Sequence, residues 1–307
     1  MSSNAEFFGL TDDAPERDRP ETTEQELNAA LLADLKGVFR RGWATHARSA
    51  QRALGPSEVG HPCARRLATA TMAYPRVNPE GDPLPAWLGT AGHSKFEDSV
   101  ELDNQRIVDE WIADRERRCT VLREVAEGDE PQYVGRWFTE RRVQVRPGGL
   151  AGTCDLYDTW TGTVIDLKFP GATAFAKYKK AKERGTMAED APEYHTQAHC
   201  YGRGYVNEGF PVNRVAIWCI PRGGMLSNSF VWSEAYNPAV VDATLTKLDT
   251  IALVLDDLDI EHHPERLSLI PKQPHNCMFC PYFVPTRPGG TAKLDPAQPW
   301  ACAGGAE

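Results

Sequence analysis

Residues 150–169 read LAGTCDLYDTWTGTVIDLKF. Residues 150–158 have the composition of one short strand, and 163–169, rich in β-branched and apolar side chains, that of a second. Thr159, Trp160, Thr161 and Gly162 lie between them as a four-residue loop, ending in the residue that best tolerates a positive φ. With that loop Asp158 pairs with Thr163, and Asp155 falls opposite Asp166. Opposed residues of an antiparallel pair share a face, with Cβ atoms roughly 4.5–5.5 Å apart, where two like charges repel. Lys168 shares the face as well, because strand side chains alternate. Two carboxylates and a lysine so placed describe a divalent-metal site beside a cation. The same residues also describe a solvated hairpin face carrying an ordinary ion pair, and at this level both readings stand.

Of the 307 residues, 41% are hydrophobic and 25% charged, the balance of a soluble globular protein with core enough for one large domain or two small ones. The first twenty residues hold no basic segment followed by an apolar run, and no apolar stretch approaches the roughly 20 residues of a membrane span. A cytoplasmic setting is therefore expected. A net charge of −9 weakens bulk attraction to nucleic acid, but a local basic groove or bound metal ions override a mean field. Eight cysteines without a secretory signal are not expected to form disulfides. Cys119, Cys154, Cys200 and Cys219 sit in helix- or strand-like contexts and read as small core residues. Cys63, Cys277, Cys280 and Cys302 sit among prolines and glycines and ask for a different role.

Along the chain, residues 1–20 form a polar lead expected to be disordered. A helix opens at Thr23, with Glu26 completing a capping box and Leu27, Leu31, Leu35 and Val38 at helical spacing. Arg65 and Arg66 follow Cys63 at the start of a short helix. A proline-rich loop over 75–86 precedes a long helix, 87–113, on which His93 and Glu97 share a face. Strands are expected over 119–125 and 133–146. After Phe169, Pro170-Gly171 breaks the strand, and a helical stretch follows with Lys177, Lys179, Lys180, Lys182 and Arg184. It reads either as a solvated face or as a phosphate-contacting one. A helix over 189–208 carries Gln197 and Tyr201 four apart. Strands over 212–220 and 225–231, with the alternation of sheet edges, lead to a helix from Pro238 to about 258. From Pro271 onward proline and glycine are so dense that the tail needs a staple to fold.

Hydrolysis of a phosphodiester needs a metal that activates water and neutralises phosphate, carboxylates to hold it, and a cation near the developing charge. Asp155 and Asp166 supply hard oxygen ligands suited to Mg²⁺ or Mn²⁺. Lys168 supplies the cation. His93, if its helix packs beside the hairpin, adds an imidazole that suits Mn²⁺ better than Mg²⁺.

Asp155 followed by Asp166-Leu167-Lys168 resembles the D…(D/E)-x-K core of the PD-(D/E)XK nuclease superfamily. Gly89-Thr90-Ala91-Gly92-His93, with Glu97, resembles the first motif of its RecB-type branch. Gly152-Thr153-Cys154-Asp155 resembles the G-x-x-D motif, and Gln197 to Tyr201 the Q-x-x-x-Y motif. All occur in the family's order and span about a third of the chain. The resemblance implies an α/β, restriction-endonuclease-like core with a mixed central sheet flanked by helices and the active hairpin in its middle. It implies His93, Asp155 and Asp166 as ligands of Mg²⁺ or Mn²⁺, with Glu97 a lesser candidate, and Lys168 as the catalytic cation. Gln197 and Tyr201 would shape the site or touch the DNA strand, and Arg65, Arg66, Lys177, Lys179 and Lys180 would contact DNA. On this reading residues 21–307 form a single nuclease domain, core about 87–235, with a cysteine-stapled C-terminal tail.

The remaining cysteines are similar to those of CRISPR-associated RecB-like nucleases and AddB-type nuclease domains. There one cysteine before the first motif and three after the core hold a 4Fe–4S cluster. Here Cys63, Cys277, Cys280 and Cys302 would take those places. The gap from Cys280 to Cys302 is longer than the family's, so His275 stands as the alternative fourth ligand, and zinc, equally content with four thiolates, as the alternative metal. The resemblance thus implies a metal-dependent DNA exonuclease or end-processing enzyme of the kind encoded by phages or CRISPR loci, working in replication or recombination. No phosphate-binding G-x4-G-K-S/T loop is present, so the nuclease is expected to act without a helicase motor of its own. A catalytically inactive DNA-binding protein of the same fold is the alternative.

Overall fold

The computed structural model describes residues 23–45, 54–78, 81–114, 135–285 and 293–304. The expected lead, the expected strand 119–125 and Cys119 lie outside the described residues. Contacts divide the chain after Gln51, inside the stretch that the sequence reads as one domain.

Among the described residues of the first unit, helix α1 (Glu24–Ala44) starts where the capping box places it. Glu26 N–H donates to the Thr23 hydroxyl at 3.3 Å and Thr23 N–H to the Glu26 carboxylate at 2.8 Å. Its apolar stripe, Leu31, Leu35 and Val38, is exposed.

The second unit contains α2 (Pro56–Val59), α3 (Ala64–Thr71), α4 (Leu84–Ala113), β1 (Trp137–Gln144), β2 (Ala151–Asp158), β3 (Thr163–Lys168), α5 (Ala172–Arg184), α6 (Met187–Asp190), α7 (Pro192–Asn207), β4 (Arg214–Cys219), β5 (Phe230–Ala235) and α8 (Pro238–Asp257). The strands form one mixed sheet in the order β1-β2-β3-β4-β5. Only the β3–β4 pair is parallel. A parallel neighbour requires a crossover, and α5, α6 and α7 supply it. The result is an α/β fold with a mixed central sheet flanked by helices, and β3 lies in its middle.

Alternation along β3 explains why the sheet is covered on both faces. Val164 joins Tyr157, Val215, Ile217 and Cys219 against Ala198, Tyr201 and Tyr205 of α7. Leu167 turns the other way and meets Leu156 and Val100 of α4, with Ile165, Phe96 and Trp218 around them. Each large side chain buried in this way contributes about 1.5–3 kcal/mol.

Three sequence expectations need correction. The strand expected over 225–231 begins at Phe230, because Gly223 and Gly224 lead into a 3₁₀ turn at Leu226–Asn228. Met225 and Leu226 are exposed, whereas burial of Trp232 in the α7-side core sets the parity of the strand. Nor are both of these strands at sheet edges: β4 is interior and β5 is the edge. The helix expected over 189–208 is split, since Pro192 opens α7 and the residues before it form the separate turn α6.

The tail is pinned across the N-terminal part of this unit. Leu67 packs with Ile251, Leu255, Ile260, Leu267 and Ile270. The Arg65 guanidinium donates to the carbonyls of Ile270 (2.9 Å) and Ser268 (2.5 Å), and Arg65 N–H to that of Pro271 (3.2 Å). Trp300 stacks on Tyr74 at 4.8 Å and its indole donates to Pro75 O. Cys302 N–H donates to Tyr282 O, and Val284 N–H to Cys302 O, tying the last cysteine beside the C-x-x-C segment.

Candidate active site

The hairpin has the loop that the sequence suggests. Asp158 pairs with Thr163, Tyr157 with Val164 and Leu156 with Ile165. Gly162 adopts φ +64°, and a Cβ there would lie 2.8 Å from Pro211 O, so this turn admits only glycine without strain. Beyond Leu156–Ile165 the ladder gives way: Leu167 N–H donates to the side chain of Asp155, at 2.7 Å from Oδ2.

This departure has a counterpart on β1. Cys154 and Tyr157 both face the α7-side core, as do Phe138 and Val143. Both separations are odd, so each strand must slip once in its alternation. Thr139–Leu156 and Arg141–Cys154 bracket the place, where Glu140, opposite Asp155, adopts φ +43°. A non-glycine residue there costs about 1–2 kcal/mol, and such outliers concentrate at functional sites.

Around this slip three ligand groups converge. His93, Glu140 and Asp155 each bring one ligand atom within 4.8 Å of the others. His93 Nδ1 lies 3.3 Å from Asp155 Oδ1. Its ring meets that of Phe169 edge-on, with centroids 5.4 Å apart. Gly92 makes this approach possible, because a Cβ on it would lie 2.8 Å from the Phe169 ring. Glu97, one turn further along α4, falls outside the trio. Glu140 belongs to no motif spacing; only its register opposite Asp155 could have marked it.

Asp166 and Lys168 occupy the α7 side of β3. Lys168 Nζ is 2.7 Å from Asp166 Oδ2, donates to Gln197 Oε1 at 2.9 Å, and lies 4.7 Å from the centroid of the Tyr194 ring. Gln197 Nε2 in turn donates to the Tyr201 hydroxyl at 3.0 Å. Gly152 leaves room for this arrangement, since a Cβ there would lie 3.1 Å from the Tyr201 ring. Tyr194 belongs to none of the motif spacings; on α7 it lies three residues before Gln197 and so on nearly the same face.

The two carboxylates are driven apart electrostatically. Asp166 is 1% exposed, and apart from the Lys168 cation neither of its oxygens meets a donor among the described residues. Burial, reinforced by the charge of Asp155 and only partly offset by Lys168, pushes its pKa up to about 7. Desolvation would raise Asp155 as well, yet the His93 contact, the charge of Lys168 and the Leu167 amide hold its pKa below the usual range. Asp166 is not one of the three groups of the His93–Glu140–Asp155 trio, but its charge acts on Asp155, and a buried carboxylate short of donors is a group that a divalent cation would satisfy.

The other expected residues are distributed as follows. Lys177, Lys179 and Lys180 are exposed on α5 and have no acidic partner within 4.0 Å among the described residues. Arg65 is committed to the carbonyls of the tail, and Arg66 lies 3.9 Å from Glu58. Cys63, Cys277, Cys280 and Cys302 line one pocket together with His61 and His275. His275 is engaged elsewhere, with Nε2 3.0 Å from Glu193 Oε1. Sulfurs around one tetrahedral zinc lie about 3.8 Å apart, from Zn–S bonds of about 2.3 Å. Among the described residues no three cysteine, histidine or acidic ligand atoms of this pocket come within 4.8 Å of one another.

A second trio, His195, His199 and Glu234, has a different character. Both Nε2 atoms lie against Glu234 Oε1, at 2.8 and 2.7 Å. His199 Nδ1 accepts from Asn237 N–H, so its proton sits on Nε2 and points at the carboxylate. A metal would need that nitrogen's lone pair; the trio is a hydrogen-bonded clamp from α7 to β5.

No helix among the described residues is long and apolar enough to cross a membrane. Comparison with protein-family models and with curated proteins finds no match. Among solved structures, the chain is similar to an alkaline exonuclease from Laribacter hongkongensis, with a TM-score of 0.38 and 12% identity over 75% of this chain and 100% of that one. It is also similar to a phage-related exonuclease from Haemophilus somnus, with a TM-score of 0.32 and 12% identity over 68% of this chain and 96% of that one.

Proposed function

We propose that this chain is a divalent-metal-dependent DNA nuclease, acting as an exonuclease or in end processing. The observation that carries the reading is the buried Asp166, whose ion-pair partner among the described residues is a lysine already shared with Gln197. A lone buried acid in an ordinary core would be replaced by an apolar residue or fully hydrogen-bonded. Asp155, Asp166 and His93, with Glu140 beside them, would hold Mg²⁺ or Mn²⁺. When bound, the ion supplies charge neutralisation and activation of water.

The chain's own residues have separable tasks. Asp155 orients His93 and caps the open end of the β2–β3 ladder. Gln197, fixed by Tyr201, and the ring of Tyr194 keep the Lys168 ammonium on the α7 side of β3. From there it can orient a water or stabilise charge developing on a phosphate. Lys177, Lys179 and Lys180, on the helix that follows β3 directly, offer exposed cations to the DNA backbone. The resemblance to RecB-type nucleases supports the same roles, because His93, Asp155, Asp166, Lys168, Gln197 and Tyr201 belong to these contacts, whereas Glu97 and Gly89 do not.

The four cysteines, we infer, hold a 4Fe–4S cluster, with Cys302 rather than His275 as the fourth ligand. Their shared pocket supports a common metal group, and His275 is occupied by Glu193. Its task would be to staple the tail to the region of Cys63.

The test is cleavage of linear and closed circular DNA with Mn²⁺ or Mg²⁺. Linear substrate should be degraded, EDTA should stop the reaction, and Asp166→Asn should remove activity without unfolding the chain. Full activity of Asp166→Asn, or activity indifferent to EDTA, would overturn the assignment. Metal binding without any cleavage would favour an inactive DNA-binding protein.

A further inference from the structure

Past the end of β3, three successive carbonyls are held by the segment that follows β4. Ile220 N–H donates to Lys168 O at 2.8 Å, and Arg222 N–H to Pro170 O at 3.1 Å. Between them, the Arg222 guanidinium donates twice to Phe169 O, from Nε at 3.1 Å and from Nη2 at 2.8 Å. Arg222 has no ion pair within 4.0 Å among the described residues, so its fork is spent on this one backbone oxygen. A guanidinium presents two N–H groups in a fixed plane, which makes the contact directional in a way that a lysine could not reproduce.

Phe169 is the residue on which His93 rests. The rings meet edge-on with centroids 5.4 Å apart, and the Phe169 ring fills the space above Gly92 that a Cβ would need. Rotation of the Phe169 backbone would therefore carry away the surface that sets the plane of the imidazole. Only in its present plane does Nδ1 face Asp155 Oδ1 at 3.3 Å. We propose that Arg222 is a positioning residue for the metal-ligating imidazole: it fixes the Phe169 carbonyl, and the Phe169 ring fixes His93. The inference rests on the metal-site reading given above. Partners one step removed from a ligand commonly change metal affinity 10–100-fold.

The experiment measures Mn²⁺ binding to the full-length protein by calorimetry, alongside thermal unfolding. Arg222→Ala should weaken Mn²⁺ binding about tenfold or more. Phe169→Leu, which keeps the carbonyl but removes the ring, should do the same. In a His93→Ala background neither change should weaken binding further, because the imidazole they orient is gone. Arg222→Lys, able to make one of the two bonds, should fall between wild type and Arg222→Ala. Arg214→Ala, at the opposite end of β4 and bonded to Ser233, should bind Mn²⁺ as wild type does. Wild-type affinity in a folded Arg222→Ala or Phe169→Leu protein, or additivity with His93→Ala, would overturn the proposal while leaving the metal site standing. Should Arg222→Ala not fold, Phe169→Leu and Arg222→Lys decide by the same criteria. Absence of Mn²⁺ binding in wild type would overturn the metal site and this inference with it.

Discussion

Asp155 accepts the amide proton of Leu167 at 2.7 Å, so a side chain of β2 takes a donor of β3 where the regular ladder between them stops. One carboxylate thereby has two duties, closing the backbone and facing His93 with its other oxygen. Separate substitutions should divide these duties.

Asp155→Asn keeps an oxygen for the Leu167 amide but loses the charge. It should unfold close to wild type while binding Mn²⁺ far more weakly. Asp155→Ala should in addition lose about 1–3 kcal/mol of stability, since a buried amide is left without an acceptor. Chemical denaturation set beside metal titration distinguishes the two; equal stability of both variants would contradict the structural duty.

Asp166 makes the metal-free protein sensitive to pH in a defined direction. Its pKa in the folded chain is about 7, above its value in an unfolded one, so the folded state retains a proton that the unfolded state has released. Metal-free stability should therefore fall as pH rises from the ordinary aspartate range toward 7, and level off above it. Asp166→Asn should flatten this dependence. Binding of Mn²⁺ below pH 7 should release a proton, which calorimetry in buffers of different ionisation enthalpy would detect.

Lys168→Ala should abolish cleavage, by a factor of about 10²–10³ or more, with the fold intact. It also removes the cation that favours ionised Asp166, so Mn²⁺ binding should need a higher pH than in wild type. A variant that cleaves normally would exclude Lys168 as the catalytic cation. Gln197→Ala, which frees Lys168 from one of its two polar contacts, should show a smaller loss of the same kind.

Anaerobically purified protein should be brown, with broad visible absorbance and iron in proportion to protein. Cys277→Ser should lose the iron and lower the unfolding temperature, because the tail it pins packs against α3 and α8. Colourless protein containing zinc would replace the iron–sulfur cluster with a zinc site.

Gly92→Ala tests the close approach of α4 to β3. A methyl group placed 2.8 Å from the Phe169 ring must displace it, at a cost of about 1–3 kcal/mol, and should weaken Mn²⁺ binding through His93. Gly89→Ala, with open space around it, should change neither.

Local chemistry made much of this molecule legible in the sequence. The capping box of Thr23 and Glu26, the loop ending in Gly162 and the pairing of Asp158 with Thr163 depend on residues close in sequence, whose preferences tertiary contacts did not override. The candidate residues His93, Asp155, Asp166, Lys168, Gln197 and Tyr201 were likewise visible as motifs, since metal and phosphate chemistry demands particular side chains at fixed spacing. What the spacing could not reveal was orientation. The slip of alternation at Glu140 and Asp155 arises where two strands and α7 compete for one core, and no period in either strand announces it. Glu140, Tyr194 and Arg222 enter through register and packing alone, and the start of β5 was set by the burial of Trp232 rather than by local propensity. Sequence alone determined which chemical groups this protein carries. Tertiary structure decided which carboxylate would be buried short of donors, because desolvation is a property of everything packed around a residue and not of its neighbours in the chain.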